Sequence, residues 1–299
     1  MAVLRTKRIL WEPFQGSKWL RLGFCAFLMG SAPAGFISGG SPQSLPGDGT
    51  NSALEDIEPE PLLAWLQQHS LLVTLLVVSA LVVSFLVAVL LTWLSSRGQF
   101  MMLDAVIHNR ATTLAAWRDY RREANSLFRF RFLLGLLTLL VLGLLIGVPL
   151  SIGLADWNAA ELSLRLIVVS LIAVVLLLLW LVAMGLISVL LLDFVAPVMA
   201  VRRIPVAAAW NVVIHDVLRP HPGAVLLYLV ARGLLSMAIA LMAFAVILLT
   251  CCLAALPYLG SVLLLPFTVF LMAYPLAFLE QLGPEWRFFA PERSALPPA

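Results

Sequence analysis

Long apolar runs separated by short polar stretches dominate the sequence from residue 71 onwards. The runs 71–94, 132–154 and 166–192 contain no charged residue, and each exceeds the roughly 20 residues that a helix needs to cross a bilayer. This pattern predicts an all-α fold, a polytopic membrane bundle of six transmembrane helices that forms a single integral membrane domain over residues 1–299. The predicted spans are 22–37, 71–94, 132–154, 166–192, 224–251 and 261–279.

The first predicted span, 22–37, is short and allows two interpretations. It would form only about 24 Å of helix, less than the thickness of the hydrocarbon core. A signal peptide is the rival interpretation, because a basic start and a short apolar core precede Ala32-Pro33-Ala34, which resembles a cleavage site. The basic residues ahead of the segment favour an uncleaved span, since a crossing at this point keeps them cytoplasmic.

Three polar stretches connect the predicted spans. The outer loop 38–69 is rich in Gly, Ser and Pro and then acidic, whereas 95–131 and 193–223 are the predicted cytoplasmic connections. Apolar residues recur at helical spacing within 101–130 and within 206–218, which predicts an amphipathic helix in each connection. Two placements stay open for the first of these helices: in the head-group region of the membrane, or packed on the protein's own spans.

Charge separates strongly across this topology. Eighteen of the nineteen Lys and Arg residues fall on one side of the six threaded spans, whereas seven carboxylates and a single base, Arg165, fall on the other. Cytoplasmic loops of membrane proteins carry an excess of Lys and Arg. We therefore expect a multi-pass protein of the cell membrane with both termini in the cytoplasm.

The two cytoplasmic connections share a short pattern. Asp104 precedes Trp117 by thirteen residues, and Asp193 precedes Trp210 by seventeen. Each pattern follows a span that runs from outside to inside, and the difference in spacing is about one helical turn. This indicates a parallel internal repeat around an axis along the membrane normal, although Leu, Ala and Val are common enough here for a chance match.

The sequence offers little chemistry. Hydrophobic residues make up 62% and charged residues 12% of the chain, and no long polar block leaves room for a soluble catalytic domain. No Walker-type loop, GxSxG elbow, HExxH motif or paired CxxC occurs. We expect no enzymatic activity, no cofactor, and no catalytic, cofactor-binding or metal-binding residue.

Arg232 is the candidate intramembrane charge. It lies about two helical turns into the predicted span 224–251, and a charged side chain inside a membrane suggests a function by default. The structural alternative is favoured because Arg232 is near the end of the span. There it can reach the head groups, or pair with Asp193 or Glu280 at neighbouring helix ends.

Four arginines, Arg118, Arg121, Arg122 and Arg129, are the candidate contacts for a lipid or a partner, because a guanidinium group binds phosphate bidentately. The expected partners are membrane lipids, above all anionic ones, together with a protein partner or a second copy of the chain. No nucleic-acid partner is expected. The expected function is a non-enzymatic membrane scaffold or accessory protein. The alternative is a transporter or channel for a small solute or lipid.

Several short stretches also carry a family resemblance. They are 14–24 (FQGSKWLRLGF), 193–197 (DFVAP) with 208–210 (AAW), 256–258 (LPY), 264–267 (LLPF) and 274–276 (YPL). With these stretches the chain resembles a group of uncharacterised prokaryotic integral membrane proteins with six helices. More distantly it resembles the membrane domain attached to glycerophosphodiester phosphodiesterases, whose catalytic barrel has no counterpart here. The resemblance implies a topology in the prokaryotic cytoplasmic (inner) membrane and no established reaction.

Overall fold

The computed structural model of the protein describes residues 6, 16–30, 68–108, 113–156, 164–249, 257–282 and 286. Over these residues the chain is helical apart from short turns and contains no β-strand, which confirms the all-α prediction. Two short stretches have π-helical hydrogen bonding, π1 (Leu191–Val195) and π2 (Val213–Leu218). The α-helices, in chain order, are α1 (Gly16–Gly30), α2 (Ser70–His108), α3 (Thr113–Asp119), α4 (Arg121–Asp156), α5 (Leu164–Leu190), α6 (Ala196–Arg202), α7 (Val206–Val212), α8 (Pro222–Leu249), α9 (Pro257–Leu263) and α10 (Leu265–Leu282).

Five helical stretches in the described part of the chain are long and apolar enough to cross a membrane. They are Ser70–His108, Arg121–Leu154, Leu164–Arg202, Pro222–Val246 and Leu265–Leu282, where α5, π1 and α6 together form the third. Each lies where a span was predicted, although the last begins at residue 265 because a turn at Leu264 separates α9 from α10. Five such helices are compatible with a multi-pass membrane protein.

The first predicted span, 22–37, is only partly described. Its apolar helical part, Trp19–Gly30, is shorter than the five long stretches, and residues 31–37 lie outside the described part of the chain. A sixth crossing is therefore not confirmed. The choice between a short span and a signal peptide stays a prediction.

The prediction of one amphipathic helix over 101–130 is wrong. Residues 101–108 are the end of α2, which continues well past residue 94, and α3 and the start of α4 follow. A turn at Tyr120 separates α3 from α4, but the amide of Ala124 still donates to the carbonyl oxygen of Tyr120, 2.9 Å away. Since α2 contains 39 residues, it is about 58 Å long and extends beyond the hydrocarbon core.

The polar stretch after residue 94 continues α2 because it packs against α1. The Ser95 hydroxyl donates to the carbonyl oxygen of Met29 across 2.6 Å. A Cβ atom on Gly98 would lie only 2.6 Å from the backbone nitrogen of Met29. Glycine lets the two backbones approach this closely, so a stretch that resembles a loop boundary is a helix–helix contact.

The amphipathic helix predicted over 206–218 is present as α7 followed by π2. Its polar residues Asn211 and His215 are exposed. Pro205 precedes the first turn with an extended backbone, where its missing N–H leaves no helical hydrogen bond unmade. The residues that α7 and π2 bury are Val206, Ala209, Val213 and Val217.

The packed core lies toward one end of the long helices. Leu71 near the start of α2 is 80% exposed, whereas Phe100 and Met102 near its end are buried. In the same way Val182 in α5 is 71% exposed, and Phe194 in π1 is fully buried. The exposed halves are apolar and coincide with the predicted spans 71–94 and 166–192, so in a bilayer they contact lipid chains.

Candidate functional site

The four candidate arginines, Arg118, Arg121, Arg122 and Arg129, are exposed on one side of the segment formed by α3 and the first turns of α4. None of them pairs with a carboxylate among the described residues. The opposite side of the segment is buried through Ala116, Tyr120, Ala124 and Leu127. Of the two placements left open for this segment, the structure shows the packing of its apolar side on the protein itself. Contact of its polar side with the head groups stays a prediction. We refer to the four exposed arginines as the basic face.

Arg203 fixes this segment to the second connection. Its Nη1 atom donates to the carbonyl oxygen of Asp119 across 2.8 Å, and its guanidinium lies 3.9 Å from the centre of the Tyr120 ring. Glu123 is 3.8 Å from the same guanidinium. Arg203 has a left-handed backbone (φ 53°), which ends α6 and directs the chain into α7. The contact joins residues 84 positions apart, and nothing in the sequence pattern predicts it.

Tyr120 also anchors the segment to the end of α2. Its hydroxyl donates to Oδ1 of Asp104 across 3.1 Å, and the same carboxylate oxygen is 2.9 Å from Nδ1 of His108. Burial, reinforced by the negative charge of Asp104, raises the pKa of Tyr120 to about 12. The phenol therefore stays a neutral donor at physiological pH.

Two further arginines, Arg97 and Arg131, are buried where α2 meets the α3–α4 segment, with 6% and 5% of their surface exposed. The Arg97 guanidinium lies 4.8 Å from the ring centres of both Trp93 and Trp117 and donates to the Trp117 carbonyl oxygen across 3.1 Å. Aromatic faces stabilise a cation most when water is excluded. The sequence does not distinguish these two arginines from exposed ones, because topology rules treat every cytoplasmic arginine alike.

Arg131 is held less completely than Arg97. Its Nη1 atom is 3.5 Å from the Ser95 hydroxyl, and no aromatic ring is found beside its guanidinium among the described residues; the Nε atoms of both arginines lack a hydrogen-bond partner there. Neither arginine faces a carboxylate among the described residues. Both are therefore held by neutral groups at the junction of α1, α2 and α4.

Arg232, the candidate intramembrane charge, forms an ion pair with Asp193. Its Nε atom donates to Oδ2 of Asp193 across 3.0 Å, and both residues are buried. Its Nη1 atom donates to the Ser236 hydroxyl across 2.8 Å, and that hydroxyl donates back to the Arg232 carbonyl oxygen. Asp193 is one of the two partners named from the sequence, so the structure supports the structural alternative for Arg232.

Tyr228 completes the cluster, although it is not among the candidate residues predicted from the sequence. Its hydroxyl donates to Oδ2 of Asp193 across 2.8 Å, so this oxygen accepts two hydrogen bonds. Its ring lies 4.9 Å from that of Phe194 and 4.7 Å from that of Phe278. The sequence could have indicated Tyr228 as a neighbour of Arg232, because Tyr228, Arg232 and Ser236 recur every four residues and share one side of α8.

The π-helical turn places Asp193 in this cluster. The amide of Ala196 donates to the carbonyl oxygen of Leu191, five residues back, so the turn is wider than an α-helical one. Such single turns inside α-helices are frequent at functional sites. Here the wide turn carries the carboxylate that the sequence places directly after the apolar run 166–192.

A cavity of about 270 Å³ lies beside the ion pair, between the end of α5 and α8. A Cβ atom at Gly185 or at Gly233, one glycine on each wall, would meet nothing within 4 Å. The walls are otherwise mainly aliphatic, and the polar lining comes from the ion pair and a hydroxyl. The lining residues are Gly185, Leu186, Val189, Leu192, Asp193, Leu229, Arg232, Gly233 and Ser236.

Metal-ligating clusters do not occur in the described residues, where no three His, Cys, Asp or Glu side chains lie close enough to hold an ion. The adjacent Cys251 and Cys252 fall outside that part of the chain. Within the part of the chain that the structure describes, the basic face and the cavity beside the ion pair are two arrangements suited to binding.

A family comparison covers nearly the whole chain. The model of a family of unknown function (DUF7544) matches residues 1–283, so the chain belongs to that family. No curated protein and no solved structure matches it. The family match agrees with the resemblance to uncharacterised proteins, but no comparison links the chain to the membrane domain attached to glycerophosphodiester phosphodiesterases.

Proposed function

We propose that this member of the DUF7544 family is a non-enzymatic scaffold or accessory protein of the prokaryotic cytoplasmic membrane, and that its basic face engages anionic lipid. The observation that carries the proposal is the basic face itself. Arg118, Arg121, Arg122 and Arg129 are exposed and unpaired among the described residues, on a segment whose other side is buried. A segment fixed in this way can present the four cations together at a surface.

The strength of this interaction follows from the charges. Each Arg near an anionic membrane surface contributes about 1 kcal/mol. The four together therefore contribute roughly 4 kcal/mol at low salt, and less as the ionic strength rises. Because guanidinium groups bind phosphate oxygens bidentately, phosphate-bearing lipids are the natural ligands.

The proposal includes a topology. Both termini and the basic face lie in the cytoplasm, α1 contributes a sixth crossing, and the two halves of the bundle form a parallel repeat. The order of elements supports the repeat. In 70–156 the short helix α3 lies between the long helices α2 and α4, and in 164–249 the short stretch of α7 and π2 lies between the long stretch Leu164–Arg202 and α8. The likeness to the membrane domain attached to glycerophosphodiester phosphodiesterases belongs to the same proposal, and only for topology.

Native mass spectrometry of the full chain in detergent tests the lipid preference. Bound phosphatidylglycerol would be counted for the wild type, for Arg121→Gln/Arg122→Gln and for the control Arg165→Gln/Arg219→Gln. The control removes the same charge from exposed positions outside the basic face. We expect the first variant to bind less phosphatidylglycerol than the wild type and the control to bind as much. Equal amounts of bound phosphatidylglycerol in both variants would show that the basic face is not the lipid contact. A protein partner would then be the remaining ligand for the basic face.

A transporter or channel for a small solute or lipid is the second candidate, and the cavity that reaches Arg232 favours it. The cavity extends along α5 and π1 from Gly185 to Asp193, which is about 12 Å of helix. The hydrocarbon core is about 30 Å thick, so the cavity corresponds to a local site more than to a path. An Arg232→Lys variant that folds normally but loses a solute flux measured in proteoliposomes would favour this candidate over the scaffold.

A further inference from the structure

The Asp193–Arg232 ion pair leaves hydrogen-bonding capacity unused. Both Tyr228 and Arg232 donate to Oδ2 of Asp193, and Oδ1 accepts no hydrogen bond from the described residues. Arg232 donates through Nε and Nη1, and its Nη2 atom donates to none of them. Both residues line the cavity. Neither Oδ1 of Asp193 nor Nη2 of Arg232 is among the solvent-inaccessible side-chain atoms that lack a hydrogen-bond partner, so both atoms are accessible. The cavity therefore offers one carboxylate oxygen and one guanidinium nitrogen to a ligand.

The charge of the lining selects the kind of ligand. Asp193 and Arg232 are the charged residues among those that line the cavity, so the lining is neutral overall. A simple anion would be attracted by Arg232 and repelled by Asp193, and a simple cation would meet the opposite balance. A group that carries an anionic acceptor and a cationic donor a few ångströms apart satisfies both residues.

The size and the walls indicate a lipid head group. The volume of about 270 Å³ is close to the lower end of the roughly 300–1,000 Å³ of small-molecule pockets, which suits a small head group. The aliphatic walls formed by Leu186, Val189 and Leu229 suit the start of an acyl chain. Leu186 is itself 44% exposed, so the cavity adjoins the surface that contacts lipid.

The position along the helices agrees with a head group. Asp193 directly follows the apolar run 166–192, and Arg232 lies about 15 Å along α8 from Pro222. Polar groups at the end of a hydrophobic run face the head-group region, where a phosphate and an ammonium group are found.

We infer that this cavity binds one zwitterionic phospholipid whose head group carries an N–H donor, a lipid of the phosphatidylethanolamine kind. The phosphate accepts from Nη2 of Arg232, the ammonium donates to Oδ1 of Asp193, and the acyl chains follow the aliphatic walls. This inference does not depend on the basic face, which is a different part of the surface with a different charge.

Lipid exchange followed by native mass spectrometry tests the inference on the full chain. Purified protein in detergent would receive equal amounts of phosphatidylethanolamine, phosphatidylcholine and phosphatidylglycerol with identical acyl chains. Phosphatidylcholine has no N–H donor, so its single-lipid adduct should be weaker by roughly tenfold, the loss expected for one charge-assisted hydrogen bond. Asp193→Asn should reduce that ratio, because it removes the carboxylate that receives the ammonium. Equal binding of the two zwitterionic lipids, or a ratio that Asp193→Asn leaves unchanged, overturns the inference.

Glycine variants locate the lipid. Gly185→Leu and Gly233→Leu each fill the cavity from one wall, whereas Gly147→Leu adds the same side chain to open space on α4. We expect either cavity variant to lose the phosphatidylethanolamine adduct and the control to keep it. The two variants enter from different helices, so one remains informative if the other does not fold. Retention of the adduct in a folded cavity variant places the lipid elsewhere and contradicts the inference.

Soluble phosphoethanolamine distinguishes a lipid from a free metabolite. The free compound carries the same phosphate and ammonium but lacks the acyl chains that the aliphatic walls would contact. We expect an excess of it to leave the phosphatidylethanolamine adduct in place. Complete displacement would show that the cavity takes a soluble molecule, and the lipid assignment would be wrong.

Discussion

Arg232 and Asp193 form a buried ion pair, with Nε of Arg232 3.0 Å from Oδ2 of Asp193, although the two residues are 39 positions apart. The pair joins α8 to the wide turn after α5, and Tyr228 donates to the same carboxylate oxygen. The charge in this span is thus held by a specific partner inside the protein. A buried pair is strong evidence for a fixed geometry and weak evidence for added stability.

Substitution of Arg232 separates charge from geometry. Arg232→Lys keeps a cation opposite Asp193 and should be tolerated, whereas Arg232→Leu leaves the carboxylate with only the Tyr228 hydroxyl. Removing one partner of a fully buried pair costs about 3–5 kcal/mol, and the adjoining cavity should lower that cost here. The measurements are the yield of monodisperse protein in detergent and the midpoint of unfolding.

The double variant Asp193→Asn/Arg232→Leu is the control for this prediction. It leaves no unpaired charge, so it should be more stable than Arg232→Leu alone. If Arg232→Leu unfolds like the wild type, or if the second substitution lowers the stability further by its own full amount, the pair does not have the proposed structural role.

Gly98 should be irreplaceable at the contact between α1 and α2. An alanine Cβ there would lie 2.6 Å from the Met29 nitrogen and 2.8 Å from the Leu28 carbonyl carbon. Both are backbone atoms, so relief requires a shift of α1, and overpacking of this kind typically costs about 1–3 kcal/mol. Gly98→Ala should lower the unfolding midpoint of the full chain.

Gly147→Ala is the matched control for Gly98→Ala. Gly147 lies in the apolar part of α4, where a Cβ would meet nothing within 4 Å. Alanine favours a helix over glycine by about 1 kcal/mol, so this variant should be neutral or slightly more stable. Equal destabilisation by the two substitutions would contradict the close approach of α1 and α2.

Tyr120 should make stability depend on alkaline pH. Its pKa is raised by burial and by Asp104 from the ordinary 10 to about 12, so folding favours the neutral phenol. This contribution is complete below pH 10 and is lost as the pH rises from 10 towards 12. Thermal unfolding at pH 9 and pH 11 should show a loss that is smaller in Tyr120→Phe. A loss of equal size in both proteins would refute the assignment.

The long apolar runs predicted most of the fold because hydrophobic length alone decides whether a helix can cross a bilayer. Hydrophobic length did not predict that α2 continues past residue 94 to His108. Ser95, Ser96 and Arg97 resemble the start of a polar loop, but they are buried between α1 and the α3–α4 segment. Their burial depends on the tertiary contact at Gly98, which hydropathy does not register.

For the candidate binding residues, too, the sequence predicted some features and not others. The exposure of Arg118 and Arg129 followed from helical periodicity, because apolar positions on the opposite side mark the buried side. The sequence limited the partner of Arg232 to two acids, Asp193 and Glu280. It could not show that Asp193 is the partner, because Asp193 lies in a π-helical turn that no local pattern predicts. Arg97 and Arg131 could not be told apart from surface arginines, since burial at a junction of three helices has no local signature.

The topology can be tested with single cysteines at Asn51 and Asn109, in a background where Cys25, Cys251 and Cys252 are replaced by alanine. Asn51 belongs to the predicted outer loop and Asn109 to the first cytoplasmic connection. A membrane-impermeant thiol reagent should label Asn51→Cys in intact cells and label Asn109→Cys only after permeabilisation. Equal labelling of both positions in intact cells would contradict the six-span topology.

Selectivity for anionic lipid in a bilayer tests the scaffold proposal most directly. In proteoliposomes, the motionally restricted fraction of spin-labelled phosphatidylglycerol would be compared with that of spin-labelled phosphatidylcholine by electron paramagnetic resonance. We expect a preference for phosphatidylglycerol that falls with rising salt and is weaker in Arg121→Gln/Arg122→Gln, which keeps two of the four arginines, but is unchanged in Arg165→Gln/Arg219→Gln. Equal restriction of the two lipids in the wild type at low salt, or equal loss in both variants, would contradict it.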